Sequence, residues 1–232
     1  MALIKTTAFL AEIRGSVNGT VFSRNPYGAI ARTKVTPVNP ETLPQQAVRS
    51  MFAALIPQWS GLSDNQRKLW ADLAMRLPQT NVFGDTYFLT GALLFTSFNR
   101  NLQEIGESVI EDAPPLEAVQ AFESFSVDIV TTPGSEDITL NISPAIASGT
   151  KLIVYATPVV SSGVMSANKS LYRKITVLDN TFISGGSIEN DYISVFGGSP
   201  RTGEKAFFSV RPIAKASGRA LFPLYCSAIA TA

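Results

Sequence analysis

The sequence predicts an α+β chain in three regions: an extended N-terminal β-hairpin arm over residues 1–40, a small three-helix region over 41–113 and an all-β domain over 114–232. Three observations predict it. Turn dipeptides punctuate the first region, apolar residues recur at helical spacing behind capping signatures in the second, and the pattern switches to period two after Ala113-Pro114-Pro115. The length allows one or two domains at roughly 100–200 residues each. Each can bury a core.

In the arm, Val17-Asn18-Gly19-Thr20 predicts a two-residue hairpin, because Asn-Gly supplies the positive-φ positions of a type I′ turn. Asn25-Pro26-Tyr27-Gly28 predicts a second turn, with proline pre-setting φ. The flanking stretches Ala11–Ser16, Thr20–Arg24 and Ala29–Val35 then form a three-stranded meander. It holds few large apolar residues, so it is marginal alone and needs another surface.

The second region reads as helical. Thr42 with Gln45 matches a capping box ahead of a helix over Gln46–Ile56, with Val48, Met51, Phe52 and Leu55 on one face and Pro57 as its stop. Ser63 with Gln66 repeats the signature before the stripe Leu69, Trp70, Leu73 and Leu77. A third helix spans Thr90–Ile105, placing Leu93, Leu94, Phe98, Leu102 and Ile105 inward, and Gly106 lies just past its end. Each is near the ~12–15 residue margin of independent stability, so mutual packing holds them. Phe52, Trp59, Trp70, Phe95 and Phe98 are accordingly core candidates.

Beyond the prolines, strands are expected at about Phe125–Val130, Asp137–Ile142, Lys151–Thr157, Tyr172–Leu178, Tyr192–Phe196, Lys205–Ile213 and Leu221–Ala230. Turn material such as Pro133-Gly134-Ser135, Ser161-Ser162-Gly163, Ser184-Gly185-Gly186 and Gly197-Gly198-Ser199-Pro200 separates them. About seven short strands in ~110 residues predict a Greek-key sandwich of immunoglobulin or fibronectin III type. With no cysteine pair, and both tryptophans in the helical region, the fibronectin-like or generic Ig-like version is expected.

Composition narrows the function. The chain has no histidine, one cysteine and only 16% charged residues. That excludes Ser-His-Asp and Cys-His nucleophile systems, a histidine general base and histidine metal ligands. Cys226 alone forms neither an internal disulfide nor a structural zinc site. It reads as a small buried hydrophobe in a strand, and a lone cysteine fits assembly in a reducing cytosol. No catalytic residue, cofactor site or metal site is expected, and the chain reads as a non-enzyme.

Remaining candidates follow from charge and turns. Glu136-Asp137, Glu189-Asn190-Asp191 and the group Glu107, Glu111 and Asp112 lack a D-x-D-x-D-G calcium loop and read as solvated loop charges. Residues 15–19 and 197–200 lack phosphate-loop spacing and read as turns. The net charge of +1 implies no global attraction to nucleic acid or anionic membrane. Residues 1–40, however, carry Lys5, Arg14, Arg24, Arg32 and Lys34 against Glu12 alone. Arg14, Phe22, Arg24, Tyr27, Arg32 and Lys34 are therefore the candidate partner-binding residues, since Arg and Tyr are enriched in protein contacts. So few charges without an accompanying motif do not predict nucleic-acid binding. The start of the chain lacks signal-peptide character, and the most apolar stretch, Gly91 to Phe98, is far short of the ~20 residues of a membrane helix.

Three segments carry a family resemblance: Arg14-Gly-Ser-Val-Asn-Gly-Thr-Val-Phe-Ser-Arg-Asn-Pro-Tyr-Gly28, Arg32-Thr-Lys-Val-Thr-Pro-Val-Asn-Pro40 and Gln45-Gln-Ala-Val-Arg49. Together with Leu62-Ser-Asp-Asn-Gln-Arg-Lys-Leu-Trp-Ala71, they resemble the opening of a group of small phage and prophage proteins that end in a β-rich domain. The resemblance implies a virion-associated structural role and supplies no active site. The expected function is a bacteriophage virion structural protein, a head decoration or auxiliary capsid protein docking through its N-terminal arm. Its expected partners are capsid or neck and tail subunits, with the chain itself multi-copy or homo-oligomeric and assembled in the host cytoplasm. A neck, tail or fibre-attachment protein and a host-surface adhesion module stand as alternatives.

Overall fold

The computed structural model describes residues 2–4, 13–25, 28–36, 38–80, 84–132 and 135–231. Two compact units form, Met1–Ser50 with Pro78–Phe88, and Met51–Leu77 with Leu89–Ala232.

The first unit holds a four-stranded antiparallel sheet of β1 (Ala2–Ile4), β2 (Gly15–Val17), β3 (Thr20–Asn25) and β4 (Gly28–Thr33), in the order β1-β4-β3-β2. Asn18 and Gly19 adopt φ of 40° and 83°, the two positive values that the hairpin turn requires. The Lys34 N–H donates to the Gly19 carbonyl at 2.6 Å and ties the end of β4 to that turn. The expected meander gains a strand, because β1 pairs along the other side of β4, with Ala2 opposite Ala31. Three residues are too few for alternation to reveal. Pro26 and Tyr27 of the second turn, Ala11 and Glu12 of the first expected strand, and Pro133-Gly134 lie outside the described residues. A short hairpin of β5 (Gln79–Thr80) and β6 (Thr86–Tyr87) belongs to the same unit.

Helix α1 (Leu43–Gly61) runs through Pro57 rather than stopping at it. The proline removes one helical hydrogen bond. Apolar anchors on either side compensate: Leu55 is fully buried, and Trp59 stacks 5.5 Å from Phe95. At the start of α1 the Gln46 side chain, not Gln45, reaches back to the Glu41 carbonyl at 3.0 Å.

Helix α2 (Asp64–Met75) begins with the capping box foreseen, Ser63 accepting from the Gln66 N–H while Gln66 accepts from Ser63. Helix α3 (Gly91–Glu104) is capped by Thr90. The two pack so closely at Gly91 that a Cβ there would lie 2.9 Å from the Ala71 nitrogen. Trp70 is completely buried between them, edge-on to Phe95 at 5.4 Å and Phe98 at 6.0 Å, with its indole N–H donating to the Glu111 carbonyl. Asn99, also buried, grips both backbone groups of Ile110 at 2.8 and 3.0 Å. The chain leading to the prolines is thus stapled onto the helices.

The β-rich part contains two sheets. β7 (Ser124–Thr132), β8 (Ser135–Ser143) and β12 (Gly186–Ser187) form one, in the order β12-β8-β7. β9 (Thr150–Ala156), β10 (Val160–Ser161), β11 (Arg173–Leu178), β13 (Glu204–Ala214) and β14 (Leu224–Ile229) form the other. Here β13 lies between β14 and β9, β11 pairs the far side of β9, and β10 takes over beside β13 where β9 ends. Val127, Ile129, Ile138 and Leu140 of the first sheet and Leu152, Val154, Phe208 and Val210 of the second share one core. At one edge the sheets are stitched together, the Thr231 N–H donating to Ile129 and its carbonyl accepting from Thr131.

Tyr192–Phe196 is helix, not strand: α4 spans Glu189–Phe196. Ile188, Tyr192 and Phe196 repeat every fourth residue onto the shared core, acidic side chains occupy the first turn, and Gly197 ends the helix at φ 83°. The buried Tyr192 hydroxyl donates to the Thr157 carbonyl at 3.0 Å.

The outer face of the second sheet is also apolar. Ile153 and Ile213 are fully buried there against Leu102 and Ile105, at the end of α3. Free carbonyls at a helix C-terminus favour cations. Strand lysines supply them, Lys151 to the Ile105 carbonyl at 3.0 Å and Lys174 to the Glu104 carbonyl at 2.5 Å. Tyr155 donates to the Glu104 carboxylate at 2.7 Å, and Lys151 pairs with Glu107 at 2.7 Å. Asn101 donates to the Gly218 carbonyl at 2.8 Å from a buried site.

Gly218 has φ +71°, and a Cβ on it would lie 2.2 Å from the Phe98 carbonyl oxygen. Gly218→Ala is expected to destabilise by at least about 3 kcal/mol in urea unfolding, whereas Gly198→Ala, in open space, changes stability by less than about 0.5 kcal/mol. Lys151, by its hydrogen bond and charge, holds the Glu107 carboxyl below its ordinary range. A depressed carboxyl stabilises above its unfolded pKa and loses that contribution as pH falls through its folded value. Glu107→Gln should therefore cost more stability at about pH 7 than at about pH 3; an equal cost at both would show that its charge is irrelevant.

Candidate interaction surface

Strand register sorts the expected partner-binding residues. Phe22 lies opposite Gly15 and Ala31, and Arg24 opposite Ala29. Alternation puts Phe22 and Arg24 on one face, while Arg32, opposite Val21, joins Ile30 on the other. Arg14 immediately precedes β2 and Lys34 follows β4. The structure thus brings Phe22 and Arg24 together and sets Arg32 behind them; Tyr27 lies outside the described residues. All four basic residues are exposed, Phe22 is half-buried, and Ile30 is buried. No carboxylate occurs between residues 13 and 36.

Geometry also opens one edge. β2 is the last strand of the sheet, and its three residues are exposed. A two-residue hairpin makes Val17–Thr20 and Gly15–Phe22 the hydrogen-bonded pairs. The N–H and C=O of Ser16 between them therefore point away from β3. Among the described residues no strand meets them.

The acidic clusters are committed to local contacts. Beyond the Glu107–Lys151 pair, Asp112 accepts from the Gln66 amide at 2.9 Å, Asp137 from the Ser187 hydroxyl and Glu189 from Ser199 at 2.6 Å. No group of three or more metal-ligating side chains occurs among the described residues. Cys226 packs against the sandwich core opposite Phe208, and burial pushes its thiol up to about 12.

One feature escaped the sequence. A groove of about 430 Å³ runs over the outer face of β13 and β14, floored by Phe207 and Tyr225 and walled by Tyr172 and the loop bearing Met165 and Lys169. Tyr225 is 57% exposed and meets Tyr172 edge-on at 5.9 Å. The available signal was apolar residues at odd and even positions alike in β13, the mark of a strand with two faces to cover.

No helix among the described residues is long and apolar enough to cross a membrane. Comparison with protein-family models, with curated proteins and with solved structures gave no match. The surface chemistry has to be read on its own terms.

A raised thiol pKa removes the reactive thiolate. Folded Cys226 should react with Ellman's reagent at about pH 8 on the order of a hundredfold more slowly than the unfolded chain. Equal rates would place the thiol in water.

Proposed function

We propose that the chain is a non-enzymatic bacteriophage virion structural protein, a head decoration or auxiliary capsid protein that docks through its N-terminal sheet. The observation that carries this is the edge of β2, which no strand covers among the described residues, within a sheet bearing exposed Arg14, Arg24, Arg32 and Lys34 and no acid. Edge strands are templates for strand addition, and soluble chains normally blunt them. Backbone pairing would supply affinity, and flanking side chains would fix register and partner. The resemblance of residues 14–49 and 62–71 to phage and prophage proteins supports the virion as the place, with capsid, neck or tail subunits or further copies of the chain as partners.

Strand order supports an immunoglobulin-like sandwich of fibronectin III type for the β-rich part. Two leading strands and a late one make the first sheet, and middle and final strands make the second, which is the Greek-key arrangement of those folds. A host-surface adhesion role is the second reading, favoured by exposed aromatics on the sandwich, Phe222 at 92% and Tyr225 at 57%.

Ser16→Pro tests the docking edge, since it deletes an outward N–H and leaves the β2–β3 ladder intact. Light scattering after size exclusion, and co-sedimentation with virion particles, should show the full chain self-associating or binding particles. Ser16→Pro and Arg24→Ala with Arg32→Ala should each weaken that by about tenfold or more, with unchanged circular dichroism. A monomeric full chain without affinity for particles, or variants that bind as well as the parent, would overturn the reading.

A further inference from the structure

We infer that the groove over β13 and β14 binds an anionic saccharide. Its volume of about 430 Å³ lies within the range of small-ligand sites, about 300–1,000 Å³. The inference is independent of the arm, since it concerns a separate surface and chemistry.

The floor has what a sugar ring requires. Tyr225 is 57% exposed, and its T-shaped contact with Tyr172 at 5.9 Å fixes the orientation of its ring. Pyranose C–H faces are apolar and stack on such rings, because aromatic faces carry partial negative charge. The hydroxyls of Ser166 and Ser227 line the groove and form no hydrogen bond among the described residues, leaving them for a polyhydroxylated ligand. Phe207 closes the bottom, buried beneath the loop.

Charge sets the sign. Lys169 lines the groove and no carboxylate does. A second ammonium, Lys205, sits 5.0 Å from the Phe207 ring centre, held by the Val164 carbonyl at 3.0 Å. One lining cation and no lining acid favour a carboxylated sugar over a neutral one. A single-stranded nucleic acid also stacks and carries charge. It needs a track of cations along its backbone and successive open rings, and here one exposed ring and one lining lysine are offered.

Titration calorimetry on the full chain decides it, with tetragalacturonate, uncharged cellotetraose and the oligonucleotide dT4 as probes. Tetragalacturonate should bind saturably and more tightly than either other probe. Tyr225→Ala and Lys169→Gln, both at exposed positions, should each weaken it by about tenfold or more. The inference fails on any of three results: no saturable binding of tetragalacturonate, equal or tighter binding of cellotetraose or dT4, or affinity unchanged in both variants. Loss of particle docking in Ser16→Pro with saccharide binding intact, or the reverse, separates this site from the arm.

Discussion

The larger unit depends on the seating of the C-terminal end of α3 against the outer face of the second sheet. A helix end presents free carbonyls and a negative pole, and a strand that is apolar on both sides cannot leave one side wet. Each supplies what the other lacks. Lys151 and Lys174 bring charge to the carbonyls of Ile105 and Glu104, and Leu102 and Ile105 cover Ile153 and Ile213. Gly218 makes the fit possible, because the Phe98 carbonyl stands where any side chain would begin. The strand lysines are therefore structural cations.

That seating also explains the groove. Ile153, Ile213 and Tyr155 take the end of α3, and Phe207 and Tyr225 belong to another part of the same outer face. A loop stands over that part instead of a helix, and it leaves space. The aromatic floor is thus the remainder of a two-faced sheet whose other portion was used for folding. A face left apolar and only partly roofed costs solubility unless something occupies it.

Legibility in the sequence followed how local each determinant is. Asn18-Gly19 and the Ser63–Gln66 capping box are fixed within four residues, and each stands where its pattern puts it. Pro57 misled because helix continuation there depends on Leu55 and Trp59 packing on distant residues. Tyr192–Phe196 misled because five residues with apolar Tyr, Ile, Val and Phe fit either period, and the deciding contacts, Tyr192 to Thr157 and to Phe208, come from far along the chain. β12, two residues long, exists through its pairing with Thr139 and Leu140. Of the candidate surface, the basic arm was legible as composition, but the opposite facing of Arg24 and Arg32 needed the register. The groove joins residues 165, 207 and 225, which no window of sequence brings together.

The two proposed surfaces differ in the groups they offer, and so in what each would tolerate. At β2 the groups on offer are backbone N–H and C=O, the same for every residue except proline. Such an edge accepts varied partner sequences and takes its selectivity from flanking charge, so a side-chain change at Ser16 that keeps the amide alters little. The groove offers a ring, hydroxyls and an ammonium. A change of one side chain there removes a definable part of the ligand's chemistry. A chain that has to seat many identical copies on a repeating lattice gains from the first kind of contact, because repeated geometry does the selecting. One that has to distinguish among surrounding surfaces needs the second.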